Sequence, residues 1–205
     1  MSHVEVVKSL LGQATSGGSG ILVIGGGKSP ADDVTRFWNE IGHLTGTSVD
    51  FVSGQGMSTK SFAAYQALAL VSSAYFVSGG LDDSEAIQFA NSESDVLAFL
   101  SSGGVLVALA QDSFSTYDFL GVKSTGVGQD EREFEGIVLP PRGLGNAHEL
   151  VITEAGVAAG LTPEVDICCW HQVLWPEDIG LEVLATGREV VAGDQPYAVG
   201  GRLSQ

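Results

Sequence analysis

Cysteine occurs at two positions only, Cys168 and Cys169, and they are neighbours. That excludes a disulfide framework as the source of stability. Basic residues are scarce as well: 9 Lys and Arg stand against 25 Asp and Glu, for a net charge of −16. Phosphate binding needs clustered cations, so nucleic acid is excluded as a partner class, and so is an anionic membrane surface. The acidic surface serves solubility first, and attraction of cations or a basic partner second. No apolar run reaches the roughly 18 residues of a membrane span. The opening stretch MSHVEVVKSLLGQATSGG lacks a secretory-signal layout, because its apolar run is short and broken by charge. It is expected to form a short amphipathic helix on Val4, Val7, Leu10 and Leu11, followed by a flexible hinge over residues 16–20. The expected localisation is therefore cytoplasmic, or extracellular by a signal-independent route.

What is present is apolar and glycine-punctuated. Hydrophobic residues make up 44% of the chain and charged residues 17%, enough for a real core and too little polarity for disorder. The expected organisation is a lead-in over residues 1–19 and a single α/β domain over 20–205. The rest of the chain is organised around GILVIGGGKSPADDVTRFW, residues 20–38. Ile21–Ile24 is a short continuous apolar run rich in β-branched residues, followed by three glycines and then by helical spacing. Ser29 is placed to cap that helix and Pro30 to occupy its first position. Asp32 and Asp33 put negative charge at the positive end of the helix dipole. Val34, Phe37, Trp38 and Ile41 supply one apolar face, and Gly42 or Gly46 ends it.

Further along, residues 48–52 read as a second strand and residues 59–67 as a short helix. One central strand is expected around residues 74–78, with residues 68–72 competing for that role. Residues 85–100 have the length of a long helix whose apolar face includes Ile87, Val96, Leu97, Phe99 and Leu100. Its polar middle, residues 91–94, is a point of interruption, and Gly103-Gly104 ends it. Residues 105–110 are fully apolar and read as a central parallel strand. The alternation of strand and helix over residues 20–120 predicts a doubly wound, right-handed sheet. The C-terminal part is more β-rich, with short strands expected at residues 133–139, 165–169, 181–185, 190–192 and 197–200, and a turn or short helix within 150–159.

VIGGGKSPADDVTRFWNEIG, then YFVSGG, then DVLAFLSSGGVLVALAQDSF resembles the class I glutamine amidotransferase-like superfamily. Within it, the layout is similar to the cyanophycinase-like peptidases and the ThuA-like proteins. The resemblance implies a flavodoxin-like three-layer sandwich with a mostly parallel sheet. It also implies a nucleophile elbow at the end of the central strand, in the pattern glycine, any residue, Ser, any residue, glycine. Aligning Gly103-Gly104 places Ala110 at the nucleophile position, flanked by Ala108, Leu109, Gln111 and Asp112. An elbow needs small neighbours at strained backbone angles, and an alanine cannot attack a carbonyl. The expectation is thus the family's fold without its catalysis: a binding or assembly module, with a protein partner or self-association and no cofactor. The rival expectation is a hydrolase that uses another nucleophile.

Candidate site residues follow, each beside its plainer reading. Gln111, Asp112 and Ser113 lie after the residue 105–110 strand, where ligand crevices form in open α/β sheets. Ser113 is a candidate displaced nucleophile with His148 or His171 as base; helix capping is the plainer reading. Gly25, Gly26 and Gly27 with Lys28 and Ser29 have the flavour of a phosphate loop, but the upstream glycine that motif requires is missing and a third spaced glycine is replaced by Pro30. A helix start after such a turn still suits an anion, yet Asp32 and Asp33 would repel one. Gly79-Gly80 is the matching turn later in the chain. Cys168 with His171 is a candidate thiol pair, against burial of adjacent cysteines on a strand, where they project to opposite faces. Asp82, Asp83 and Glu85, with Asp112, form a carboxylate group suited to a hard cation; helix capping explains the first three without a metal.

Overall fold

The computed structural model describes residues 2–75, 77–109, 120, 122–126, 133–134, 137–138, 150–162, 172–176, 181–189 and 193–201. The chain divides into two compact units: Val6–Phe119, and Leu120–Gln205 together with Met1–Glu5. No helix among the described residues is long and apolar enough to cross a membrane.

The first unit is an α/β sandwich of the flavodoxin-like kind. Strands β1 (Ile21–Ile24), β2 (Val49–Val52), β3 (Ala67–Val71) and β4 (Val105–Leu109) form one parallel sheet in the order β2-β1-β3-β4. The registers are Ile21 opposite Val49 and Ala67, and Ala67 opposite Val105. β1 and β3 sit in the middle, and every residue of both is buried. This is why ILVI and ALALV carry no polar alternation: a strand covered on both faces has no solvent side to mark. Helix α1 (Ser2–Gln13) precedes the sheet, and Val4 and Val7 are its buried residues. Residues 15, 16 and 19 donate backbone hydrogen bonds to Gly103 and Ala64 carbonyls just before β1 begins.

Helix α2 (Asp33–Thr45) joins β1 to β2, and α3 (Asp83–Asn91) and α4 (Glu93–Ser101) join β3 to β4. The two connections leave the sheet centre in opposite directions. Right-handed crossovers therefore place α2 on one face and α3 with α4 on the other, which makes three layers. α2 buries Val34, Thr35, Trp38, Ile41 and Gly42. Gly42 lets the helix approach β2 closely, since a Cβ there would stand 2.7 Å from Val49 Cγ2. Gly46 closes the helix in the left-handed conformation, at φ 69°. The long helix expected at residues 85–100 is two helices meeting at Ser92, within its polar middle.

Several expectations are corrected. The cap of α2 is Asp32, not Ser29, because the Asp32 carboxylate accepts from Thr35 N–H while Ser29 folds into the preceding turn. The central strand is β3 and not residues 74–78; of these, Ala74 and Tyr75 lie in a turn, with Tyr75 83% exposed. Residues 59–67 do not form one helix: short 3₁₀ segments span Gly54–Thr59 and Phe62–Ala64. β4 is an edge strand among the described residues, with Ala108 exposed. Ile87, expected on a buried face, is 61% exposed, while Phe89 is fully buried in its place.

The second unit is richer in strands, and its described pairings are antiparallel. β10 (Leu181–Glu189) pairs with β11 (Gly193–Gly201) and with β8 (Leu150–Ile152). β5 (Val122–Gly126) pairs with β9 (Gln172–Pro176), and β6 (Glu133–Phe134) with β7 (Ile137–Val138). Helix α5 (Glu154–Ala158) follows β8 and is capped by Thr153. Residues 165–169 and 190–192 lie outside the described residues.

Candidate functional site

The chain leaves β1 toward β2 and leaves β3 toward β4, so the strand order reverses between β1 and β3. In flavodoxin-like sheets the ligand crevice lies outside the carboxyl ends of the strands at this switch point. Here the place is bordered by the turn at residues 25–32 and the β3–α3 connection at residues 72–82. The structure brings together Gly25, Gly26, Gly27, Gly79 and Gly80 of the sequence-predicted candidates. Gln111, Asp112, Ser113, His148, Cys168 and His171 lie outside the described residues, as do Ala110 and Cys169.

The three glycines of the turn have φ values of 99°, 70° and 65°, a region that side-chain-bearing residues rarely enter. Space demands glycine too: a Cβ at Gly25 would stand 2.6 Å from Val71 Cγ2, and one at Gly27 2.8 Å from Phe51 Cβ. The backbone donors that make such a turn an anion site are already used within the chain. Gly25 N–H donates to Val52 O at 2.9 Å, Gly26 N–H to Gly79 O at 2.8 Å, and Gly27 N–H to Thr35 Oγ1 at 2.7 Å.

The start of α2 has an occupant of its own. Asp32, 5% exposed, accepts from Thr35 N–H at 2.6 Å and from Ser29 N–H at 2.9 Å. Burial pushes its carboxyl up. Hydrogen bonds from the Thr35 hydroxyl and N–H, and from the Ser29 and Lys28 backbone, outweigh that and hold it below the ordinary carboxylate value. The carboxylate thus takes the position an external anion would take at a helix N-terminus. From its position alone Asp32 is a charge that repels an anion; in the fold it is the anion itself.

Lys28, the residue that gave the turn its phosphate-loop flavour, is committed as well. Its ammonium donates to Gly80 O at 2.7 Å and to Glu85 Oε2 at 2.6 Å, and stands 4.0 Å from Asp82 Oδ2. Glu85 is 2% exposed and sits in the first turn of α3. The same Oε2 accepts Asp82 N–H at 2.9 Å, and Asp82 Oδ1 accepts Glu85 N–H at 2.9 Å. That reciprocal box was legible in the Asp82-to-Glu85 spacing, whereas its ion pair with Lys28 was not. Of the carboxylates suited to a cation, Asp82 and Glu85 cap a helix and face an ammonium. Among the described residues, no group of three or more His, Cys, Asp or Glu side chains is placed to hold a metal ion.

The connection itself is stapled. Leu81 N–H donates to Ser72 O at 2.9 Å and Ala74 N–H to Leu81 O at 2.6 Å, closing its base. Val34 N–H donates to Ser78 O at 3.2 Å, and Asp32 fills the space beside Gly79. Elsewhere in this unit Tyr65 O–H donates to Asp50 Oδ2 at 2.7 Å, and burial followed by the Asp50 carboxylate pushes the phenol up to about 12. Chemically, the switch point is a place whose donors, ammonium and carboxylates satisfy one another. No family model matches the chain, and no curated protein or solved structure matches it.

Proposed function

We propose that the chain carries a non-catalytic domain of the amidotransferase-like type that acts as a binding or assembly module, through a protein partner or self-association. The observation that supports this reading is the self-satisfied switch point. A small anionic ligand there has to displace Asp32 from two backbone donors and compete with Glu85 for Lys28. The absence of a nucleophile at Ala110, which the resemblance implies, points the same way. With a net charge of −16, a basic partner surface is the better electrostatic match.

The test sets this reading against a hydrolase. The full chain is treated with a fluorophosphonate and with iodoacetamide, alongside His148→Ala and His171→Ala variants. The expected result is no fluorophosphonate labelling, and thiol alkylation at a rate that neither histidine variant changes. Labelling of Ser113, or fast alkylation of Cys168 that is lost with either histidine, overturns the reading. Light scattering across a concentration series then separates self-association from dependence on a different partner.

A further inference from the structure

We propose that Lys28 is a latch on the switch-point crevice, and that the β1–α2 turn and the β3–α3 connection separate as one event when the latch is released. This goes beyond the binding-module reading and does not depend on it.

Among the described residues, four hydrogen bonds cross from the β1–α2 turn and the start of α2 to the β3–α3 connection and the start of α3. Gly26 N–H reaches Gly79 O at 2.8 Å and Val34 N–H reaches Ser78 O at 3.2 Å. The other two leave a single ammonium, from Lys28 Nζ to Gly80 O at 2.7 Å and to Glu85 Oε2 at 2.6 Å. A bond that involves an ionised group contributes about twice what a neutral one does, so the Lys28 pair carries the larger share of the closure. Its two acceptors stand at the end of the connection and in the first turn of α3, so one side chain on the turn holds both.

The surroundings make this closure conditional on charge. Lys28 faces Glu85 and Asp82 from the β3–α3 side, and Asp83 follows in the first turn of α3. On the α2 side stand Asp32, buried in its cap, and Asp33, paired with Arg36. Removing the ammonium takes from the nine-tenths-buried Glu85 carboxylate the cation that stands 2.6 Å from its Oε2, and that loss disfavours the closed arrangement. Removing the Glu85 charge instead weakens two things at once, because one oxygen serves both Lys28 and the Asp82 N–H. Each loop has glycine at its edge for the rearrangement: Gly25, Gly26 and Gly27 on one side and Gly79 on the other, all at positive φ. The two ends of the connection keep their own staple, Leu81 N–H to Ser72 O and Ala74 N–H to Leu81 O. Once apart, the loops expose the Gly26 and Val34 N–H groups to the crevice. Lys28 thereby decides whether the switch point presents donors or hides them.

Residue-resolved amide exchange by NMR on the full chain tests this at one pH and temperature. The chains compared are wild type, Lys28→Arg, Lys28→Met, Glu85→Gln and the neutral pair Lys28→Met/Glu85→Gln. In Lys28→Met and Glu85→Gln, the Gly26 and Val34 amides are expected to exchange about tenfold faster or more, by a common factor. Ala74 and Leu81, bonded inside the connection, and Val23 in β1 stay at the wild-type rate, and Lys28→Arg stays near wild type throughout. The neutral pair, which has no unpaired buried charge, shows the same pattern and serves if Lys28→Met does not fold. Faster exchange confined to the first turn of α3 overturns the latch, since the ion pair then does no more than cap that helix. Different factors at Gly26 and Val34, or a parallel rise at Val23, also overturn it.

Discussion

The Asp32 carboxylate occupies the space that a side chain at Gly79 would need. Gly79 also holds φ at 86°. Gly79→Ala therefore meets a backbone penalty of about 1–3 kcal/mol and a steric clash in addition. Urea unfolding should show a clear fall in midpoint. Gly12→Ala is the contrast: the position in α1 has open space around it, and stability should hold or rise by up to about 1 kcal/mol.

Asp32 gives a signed pH dependence. Its folded carboxyl lies below the ordinary value of 3.8. Its stabilisation is fully present above that ordinary value, and is lost as pH falls through the lower folded value. Asp32→Ala should cost about 1–2 kcal/mol near neutrality, the scale of a lost N-cap. The gap between wild type and variant, followed by urea midpoints, should narrow below pH 4. A constant gap down to the acid limit would mean that the carboxylate charge plays no part.

Tyr65 works in the opposite direction. Its phenol is pushed up to about 12 by burial, then by the hydrogen bond and charge of Asp50. The neutral phenol's stabilisation is complete below the ordinary value of 10.0 and disappears as pH rises through about 12. Absorbance titration of the tyrosinates should show a late phase that Tyr65→Phe removes. At neutral pH that variant should lose about 1 kcal/mol.

Thr153 ties α5 to the sheet of the second unit. Its hydroxyl accepts Gly156 N–H at 3.1 Å and lies 2.7 Å from Val183 O and 3.1 Å from Leu184 O as donor, beside an irregularity in the β10–β11 register. Thr153→Val should accelerate exchange of the Gly156 amide about tenfold, as expected for a lost cap of about 1–2 kcal/mol. Thr153→Ser keeps the hydroxyl and should stay close to wild type.

The parts of this fold legible in the sequence are those set by neighbours along the chain. β1 is readable from ILVI followed by glycines, and the body of α2 from the spacing of Val34, Trp38 and Ile41. The start of α2 misleads because Ser29-Pro30 is a good local signal, while Asp32 gains more donors once the turn has folded. Residues 67–71 and 74–78 are both apolar enough for a strand, and the choice between them rests on pairing with β1, which no local pattern encodes. Ile87 lies off the buried face because Glu85, Phe89, Val96 and Phe99 follow three-, four- and seven-residue spacing that leaves it out. At the switch point the glycines were visible. The Lys28–Glu85 pair spans 57 positions, and only the closed sheet brings its ends together.

The central position of β1 bears on how the chain is made. Its two neighbours are β2 and β3, so one of the two middle strands is synthesised before either of its partners and has its second partner only after Val71. At roughly 5–20 residues per second of synthesis, the stretch from Ile24 to Val71 takes about 2–10 s. For that interval a fully apolar segment waits on the nascent chain with at least one edge unpaired, and with both unpaired until β2 is made. Ile21–Ile24, wholly buried in the folded sheet, is thus the segment of the nascent chain whose protection has to last until β3 has emerged.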